Sequence, residues 1–144
     1  MLSVFVLNTL IVVLVVVTHY EFLGWLGMGL GALALRHRSR ILVGVFGALV
    51  AHSVEVWIFA LAYYVMSHTD GWGVLTGNTH DTLLDCAYFS FTVFTTLGFG
   101  DIQPEGNLRY LTGLEALTGM VLITWTASFL FVEMQRHWSE RQRR

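Results

Sequence analysis

The sequence predicts an all-α membrane protein, because it is too apolar and too poor in charge for a soluble domain. Of its 144 residues, 55% are hydrophobic and 12% are charged, and the mean hydropathy is +0.62. Three apolar stretches, 1–18, 41–66 and 108–134, approach or exceed the length of about 20 residues that a helix needs to cross a bilayer. This composition also excludes a disordered chain. We therefore expect a multi-pass protein of the plasma or inner cell membrane.

The first segment, 1–18, is predicted to be a membrane anchor whose amino terminus lies outside. No arginine or lysine precedes its apolar run and no small-residue cleavage pattern follows it, so a removable signal is not indicated. We interpret the glycine-rich stretch 22–35 as a helix along the cytoplasmic face. The alternative is one long tilted helix through Leu35. His19 and Glu21 are expected at the membrane surface, and a proton-sensitive contact with the rest of the protein is the other interpretation.

The arginines indicate how the chain is oriented. All eight basic residues are arginine, and seven lie in two clusters. The clusters comprise Arg36, Arg38 and Arg40, and then Arg136, Arg141, Arg143 and Arg144. Because positive charge near helix ends stays cytoplasmic, the linker within 1–40 and the tail 138–144 are expected inside. Segments 67–81 and 101–109 then form an acidic outer mouth, which concentrates cations. Topology accounts for both clusters, so nucleic acid is not an expected partner.

Segment 41–66, the predicted outer helix, has one face of small and polar residues. The residues on this face are Gly44, Ala48, Ala51, His52 and Glu55. Their spacing of three and four residues places them on one side of a helix. Ionisable groups at this depth are costly and usually have a role. For His52 and Glu55 a structural hydrogen bond, a gating or pH-sensing pair and a metal site stay open, but a metal needs more ligands than these two.

Segment 82–94 is apolar but too short to span, and we predict a helix that enters the membrane halfway from outside. Asp81 is the expected N-cap, and Asp85 lies in the first turn, where negative charge suits the helix dipole. The partial negative charge at the carboxyl end of this helix favours a cation beyond it.

The loop 95–101 after this short helix carries the most chemical information. Its residues are Thr95, Thr96, Leu97, Gly98, Phe99, Gly100 and Asp101. Successive carbonyls can turn to one axis if left- and right-handed dihedrals alternate, and glycine enters the left-handed region without steric cost. Gly98 and Gly100 therefore predict a row of carbonyl oxygens that replaces the water around a cation. Thr96 can add its hydroxyl at the inner end, and Asp101 meets the outer solution.

These residues resemble the filter of the tetrameric potassium-channel pore module, which is usually Thr-Val-Gly-Tyr-Gly followed by Asp. Here Leu97 stands in place of valine and Phe99 in place of tyrosine. The resemblance covers about 41–137 and extends to small prokaryotic ion-channel proteins with the same helix order. It implies a homotetramer among membrane lipids, built from outer helix, pore helix, filter loop and inner helix, here with an additional N-terminal helix. It also implies that K⁺, as permeant ion and not as cofactor, binds at Thr96, Leu97, Gly98 and Phe99.

Segment 108–134 is predicted to be the inner helix that lines the pore. Gly119 lies close to the position of the glycine hinge in inner helices of this family, and a close-packing contact is an equal alternative. Glu115 is a second deep carboxylate. We expect it to bond the back of the pore helix or His52, and attraction of cations in a central cavity is the minor alternative.

The sequence thus predicts a passive channel for monovalent cations, with potassium as the expected ion and with no cofactor. An enzyme is not expected, since the sequence shows no nucleophile and base pairing, phosphate loop or multi-ligand metal cluster. One alternative is a non-selective cation pore, because Leu97 and Phe99 alter the filter wall. The other is a non-conducting membrane sensor or accessory subunit, which the deep polar residues His52, Glu55 and Glu115 suggest.

Overall fold

The computed structural model describes residues 2–32 and 37–142. In these ranges the chain forms four α-helices and one two-stranded sheet. The helices are α1 Leu2–Ala32, α2 His37–Ser67, α3 Leu83–Phe94 and α4 Leu108–Gln142, and the strands are β1 Leu75–Gly77 and β2 Ile102–Pro104. The predicted order of outer helix (α2), pore helix (α3) and inner helix (α4), with an additional N-terminal helix (α1), is confirmed. Arg36 of the predicted linker and residues 143–144 of the predicted tail lie outside the described residues.

Three of the described helices are long and apolar enough to cross a membrane. These stretches are Leu2–Gly31, Ser39–Ser67 and Leu108–Gln135. The fourth helix, α3, has 12 residues, so it extends only about 18 Å and cannot cross a hydrocarbon core of about 30 Å. The chain is therefore a multi-pass membrane protein with one half-length helix.

The interpretation of 1–35 as a membrane anchor followed by a surface helix is wrong. One uninterrupted helix, α1, runs from Leu2 to Ala32, which agrees with the alternative of one long helix as far as the described residues extend. Its glycines do not end it, because backbone groups in hydrocarbon have no water to bond to and a continuous helix satisfies them. The expectation that His19 lies at the membrane surface is also wrong, since its side chain is fully buried.

The half-length helix α3 packs between α2 and α4, and α1 packs against α2 and α4 from the side. The largest fully buried apolar side chains in this arrangement are Tyr63, Phe59, Phe94, Leu108 and Leu111. The predicted small face of α2 is used for close helix packing. A Cβ on Gly44 would lie 3.0 Å from the side chain of Leu130 on α4, and Ala48 and Ala51 are buried.

The helix α3 begins one residue later than the sequence suggested. Asp81 is not the N-cap; it has a left-handed φ of 57° and leads the chain into Thr82, which is the cap. Thr82 Oγ1 accepts a hydrogen bond from the Asp85 amide, and Asp85 Oδ2 accepts one from the Thr82 amide, each 3.2 Å long. This is a capping box. Hydrogen bonds from the amide of His80, then from Thr82, lower the pKa of Asp85.

The two short strands were not predicted. β1 and β2 are antiparallel, with Leu75 opposite Pro104, and they join the loop before α3 to the segment after the filter. This pairing requires a glycine at position 77. The φ of Gly77 is 104°, which side chains disfavour, and any Cβ there would overlap the carbonyl oxygen of Asp101. Strands of three residues are too short to show alternation in a sequence.

Candidate functional site

The backbone of the loop 95–101 alternates as the sequence argument requires. Thr96, Gly98 and Gly100 have φ values of 58°, 51° and 80°. The intervening Leu97 and Phe99 do not have positive φ. A left-handed threonine is uncommon and costs free energy, so the surrounding structure must hold this conformation.

The inner end of the loop is bonded to the end of α3. The amide of Thr96 donates to the carbonyl of Val93 over 2.9 Å, and the amide of Gly98 donates to the carbonyl of Thr92 over 3.0 Å. In a trans peptide the carbonyl points opposite to the amide N–H. The carbonyl of Leu97, which shares a peptide with the Gly98 amide, therefore points away from α3.

The carbonyl oxygens that were predicted to bind a cation have no hydrogen-bond donor within residues 2–32 and 37–142. These are the oxygens of Thr96, Leu97, Gly98 and Phe99. All six residues from 95 to 100 are exposed on the single chain, and the side chains of Leu97 and Phe99 are 60% and 64% exposed. A row of unpaired carbonyls at one edge of a membrane protein can replace the hydration shell of a cation.

The outer end of the loop is fastened by side chains. Tyr88 on α3 donates from its hydroxyl to Asp101 Oδ2 over 2.9 Å, and its ring is parallel to the Phe99 ring at 6.4 Å. The hydrogen bond to the carboxylate of Asp101 raises the pKa of Tyr88. The side-chain amide of Gln103 donates from Nε2 to the carbonyl of Gly100 over 3.3 Å. Tyr88 thus supplies the link between pore helix and filter that Phe99, without a hydroxyl, cannot make.

Glu115 forms a buried hydrogen-bond network behind α3, which we call the Glu115 network. Its Oε1 lies 2.5 Å from the Ser90 hydroxyl of α3, and its Oε2 accepts from the Tyr63 hydroxyl of α2 over 2.6 Å. All three side chains are fully buried. Glu115 therefore bonds the back of the pore helix, as we expected, and it does not face an open cavity. Sequence reasoning missed Ser90 and Tyr63, although Ser90 is one of the few polar residues of α3 and was therefore a weak signal.

A second buried group, the His–Glu cluster, comprises His19, His52 and Glu55. The Nδ1 atom of His19 lies 2.7 Å from Glu55 Oε1, and the Nδ1 atom of His52 lies 2.9 Å from Glu55 Oε2. His19 and Glu55 are fully buried, and the side chain of His52 is 18% exposed. The sequence indicated the pair on α2 from its spacing but did not connect it to His19, which comes from α1.

Gly119 lies where α4 crosses the carboxyl end of α3. A Cβ at this position would overlap the carbonyl oxygen of Phe94, the last residue of α3. The geometry supports the close-packing interpretation of Gly119. The hinge interpretation stays a prediction.

The comparison with known families agrees with this geometry. The sequence model of a family described as "Ion channel" matches residues 51–136. The match includes α3, the loop 95–101 and most of α2 and α4, whereas α1 precedes it. Neither the curated proteins nor the solved structures contain a significant match. More than half of the chain fits the family model across the elements that build the pore, and the protein therefore belongs to this ion channel family.

Proposed function

We propose that four copies of this chain form a potassium-selective channel, with the loop 95–101 of each copy around one axis. The observation that carries the proposal is the alternating backbone at Thr96, Gly98 and Gly100, together with carbonyl oxygens that have no donor in the described chain. One chain supplies one row of oxygens, and a cage that replaces the hydration shell of a cation needs several rows. Cyclic symmetry is the usual way in which identical subunits close such a ring.

The exposure of the filter supports assembly. The side chains of Leu97 and Phe99 are largely exposed on a single chain, although they follow a membrane-embedded helix. Exposed backbone carbonyls are not tolerated against lipid, so this edge must face protein, ions or water. Neighbouring copies around a pore provide all three.

The orientation we propose places the amino terminus outside and the carboxyl terminus in the cytoplasm of a plasma or inner membrane. Arg40 at the start of α2 donates to the carbonyl of Leu30 near the end of α1, and a small cavity there is also lined by Glu133 of α4. Arg40 of the first arginine cluster therefore lies close to the part of α4 that directly precedes the second cluster. Positive charge at that end favours the cytoplasmic side.

A flux assay in liposomes tests the channel and its selectivity. Purified protein in potassium-loaded vesicles should give an ion flux that barium blocks, and a potassium/sodium bi-ionic gradient should give a reversal potential close to that of potassium. A reversal potential near zero would replace the proposal with a non-selective cation pore. A tetramer that passes neither ion at any pH or voltage would favour the non-conducting sensor.

The filter glycines provide the sharpest mutational test. Gly98→Ala and Gly100→Ala force a methyl group onto left-handed residues that have open space around them, so we expect normal insertion and loss of flux by at least an order of magnitude. Gly71→Ala is the matched control, because Gly71 also has a positive φ, of 84°, and open space but lies in the outer loop. Normal potassium flux through both filter variants would contradict the mechanism.

A further inference from the structure

Three side chains of ligand type converge in the His–Glu cluster from two different helices. His19, His52 and Glu55 each offer one ligand atom, and these atoms lie within 4.8 Å of one another. All three atoms therefore lie within roughly 2.8 Å of a common point, compared with about 2.0–2.2 Å for bonds from zinc to nitrogen or oxygen. Small side-chain rotations would bring them to coordination distance.

The donor set is one that transition metals use. Two imidazole nitrogens and one carboxylate oxygen hold zinc and related divalent ions, and they leave a further position for water. The sequence alone offered His52 and Glu55 on one helical turn, which is too few ligands. The uninterrupted helix α1 supplies the missing one by placing His19 against Glu55.

The charge of the cluster also favours a cation. Glu55 is fully buried, and within the described residues its ion-pair partners are His19 and His52. A buried carboxylate carries a negative charge that is costly in a bilayer unless a cation or a proton balances it. The ring of His52 lies 5.7 Å from that of Phe94 at the carboxyl end of α3, where the helix dipole adds partial negative charge. A bound divalent ion would reverse the sign of the cluster beside this negative end.

The surroundings of His19 would hold its ring in the orientation that a metal requires. The Nε2 atom lies 3.4 Å from the hydroxyl oxygen of Thr126 on α4, and the ring of Trp125 lies 5.2 Å away. When Nδ1 binds a metal, Nε2 carries the hydrogen and needs an acceptor. Thr126 is placed to be that acceptor.

We infer that His19, His52 and Glu55 form a binding site for a divalent transition-metal ion such as zinc, which joins α1 to the outer helix of the pore domain. The site does not depend on whether the pore conducts. Bound metal would fix α1 against α2 and raise the melting temperature of the protein as the metal concentration rises.

The first test measures zinc binding by the full chain, without a histidine tag and after treatment with a chelator. Titration with ZnCl₂ should show one ion per chain by calorimetry. His19→Gln and Glu55→Gln each remove one proposed ligand. We expect the affinity for zinc to fall by at least ~10–100-fold, because loss of a residue that only supports a ligand already costs that much. The control His68→Gln/His80→Gln removes two histidines of the outer loop and should bind as the parent does. No saturable binding, or unchanged binding in His19→Gln, would overturn the proposal.

A second test uses a variant that retains a ligand, because Glu55→Gln could fail to assemble. His52→Cys replaces a partly exposed imidazole with a thiol, which is also a good ligand for zinc and cobalt. CoCl₂ should give a thiolate-to-cobalt charge-transfer band with His52→Cys and no such band with His68→Cys. The absence of the band from assembled His52→Cys would overturn the proposal. If the cluster binds a proton and no metal, the first experiment would show no saturable zinc binding and the second would show no cobalt band.

Discussion

The filter loop 95–101 and the two buried polar groups, the Glu115 network and the His–Glu cluster, differ in how many of their oxygens have hydrogen-bond partners within the chain. In the filter, four consecutive carbonyls have no donor within residues 2–32 and 37–142 and are exposed on the single chain. In the Glu115 network and the His–Glu cluster, both oxygens of each carboxylate have a partner within the same chain. The difference indicates which parts of the molecule are complete in one copy. The two buried polar groups are bonded within one chain, whereas in the function we propose the loop 95–101 depends on ions and neighbouring copies.

Removing the carboxylate of the Glu115 network should give the largest effect on folding. Glu115→Ala creates a cavity and removes the shared acceptor of Tyr63 and Ser90, whose hydroxyls keep only Thr112 Oγ1 and the carbonyl of Val56 as partners. We therefore expect a loss on the order of 2–5 kcal/mol. The melting temperature and the yield of assembled protein in detergent measure it. Glu21→Ala, at an exposed glutamate of α1, is the control. If Glu115→Ala melted with the parent, the network would not hold the scaffold.

The contact between α4 and α3 should be the next most sensitive position. In Gly119→Ala the added Cβ pushes against the carbonyl of Phe94, and we expect a cost of about 1–3 kcal/mol together with reduced flux. Gly113→Ala is the matched control on the same helix, because a Cβ there meets nothing within 4 Å. If Gly119 acts as a hinge and not as a packing contact, Gly119→Ala should change the open probability and leave the melting temperature unchanged.

On the filter side, loss of an internal bond should alter conduction more than stability. Tyr88→Phe removes the hydrogen bond to Asp101 and keeps the ring beside Phe99, so we expect a lower potassium-to-sodium permeability ratio. The cost in stability should be at most about 1 kcal/mol, since Tyr88 is 40% exposed. Tyr110→Phe, at another exposed tyrosine, serves as the control. An unchanged permeability ratio in Tyr88→Phe would show that this bond does not hold the filter.

The smallest expected effect concerns acid pH at the start of α3. Because the folded-state pKa of Asp85 is lowered by amide and hydroxyl donors, its stabilising contribution is fully present above the ordinary pKa of aspartate. The contribution is lost as the pH falls through the lowered value. The melting temperature of the parent should therefore fall more steeply below about pH 4 than that of Asp85→Asn. Asp70→Asn in the outer loop should follow the parent, and identical curves for all three proteins would contradict the assignment.

The sequence predicted the elements whose signals are local. Apolar length located the end of α2 at Ser67 and the start of α4 at Leu108 to within one residue, but it missed the other ends by four and eight residues, because polar residues continue both helices. Glycine spacing indicated the alternating backbone at Gly98 and Gly100. The N-cap was displaced by one residue, to Thr82, because Asp81 and Thr82 are both good caps and only the structure shows which one accepts the bond from Asp85.

What the sequence did not predict depends on contacts between distant residues. His19 and Glu55 are 36 residues apart, and nothing near either residue indicates the other. The continuity of α1 was missed because its glycines suggest a break in water, whereas a bilayer favours the unbroken helix. Ser90 and Tyr63 carry no charge, so their place in the Glu115 network became visible only when α3 was packed between α2 and α4.

The pairing of β1 with β2 fastens the chain on both sides of the half-length helix. Leu75 and Pro104 are paired across the two strands. The stretch between them, which contains α3 and the loop 95–101, is therefore a loop whose two ends are held together by backbone hydrogen bonds. Separating the segment before α3 from the segment after the loop 95–101 would require breaking the hydrogen bonds of this pairing. The two strands thus join α3 and the loop 95–101 into one unit that is closed by backbone hydrogen bonds.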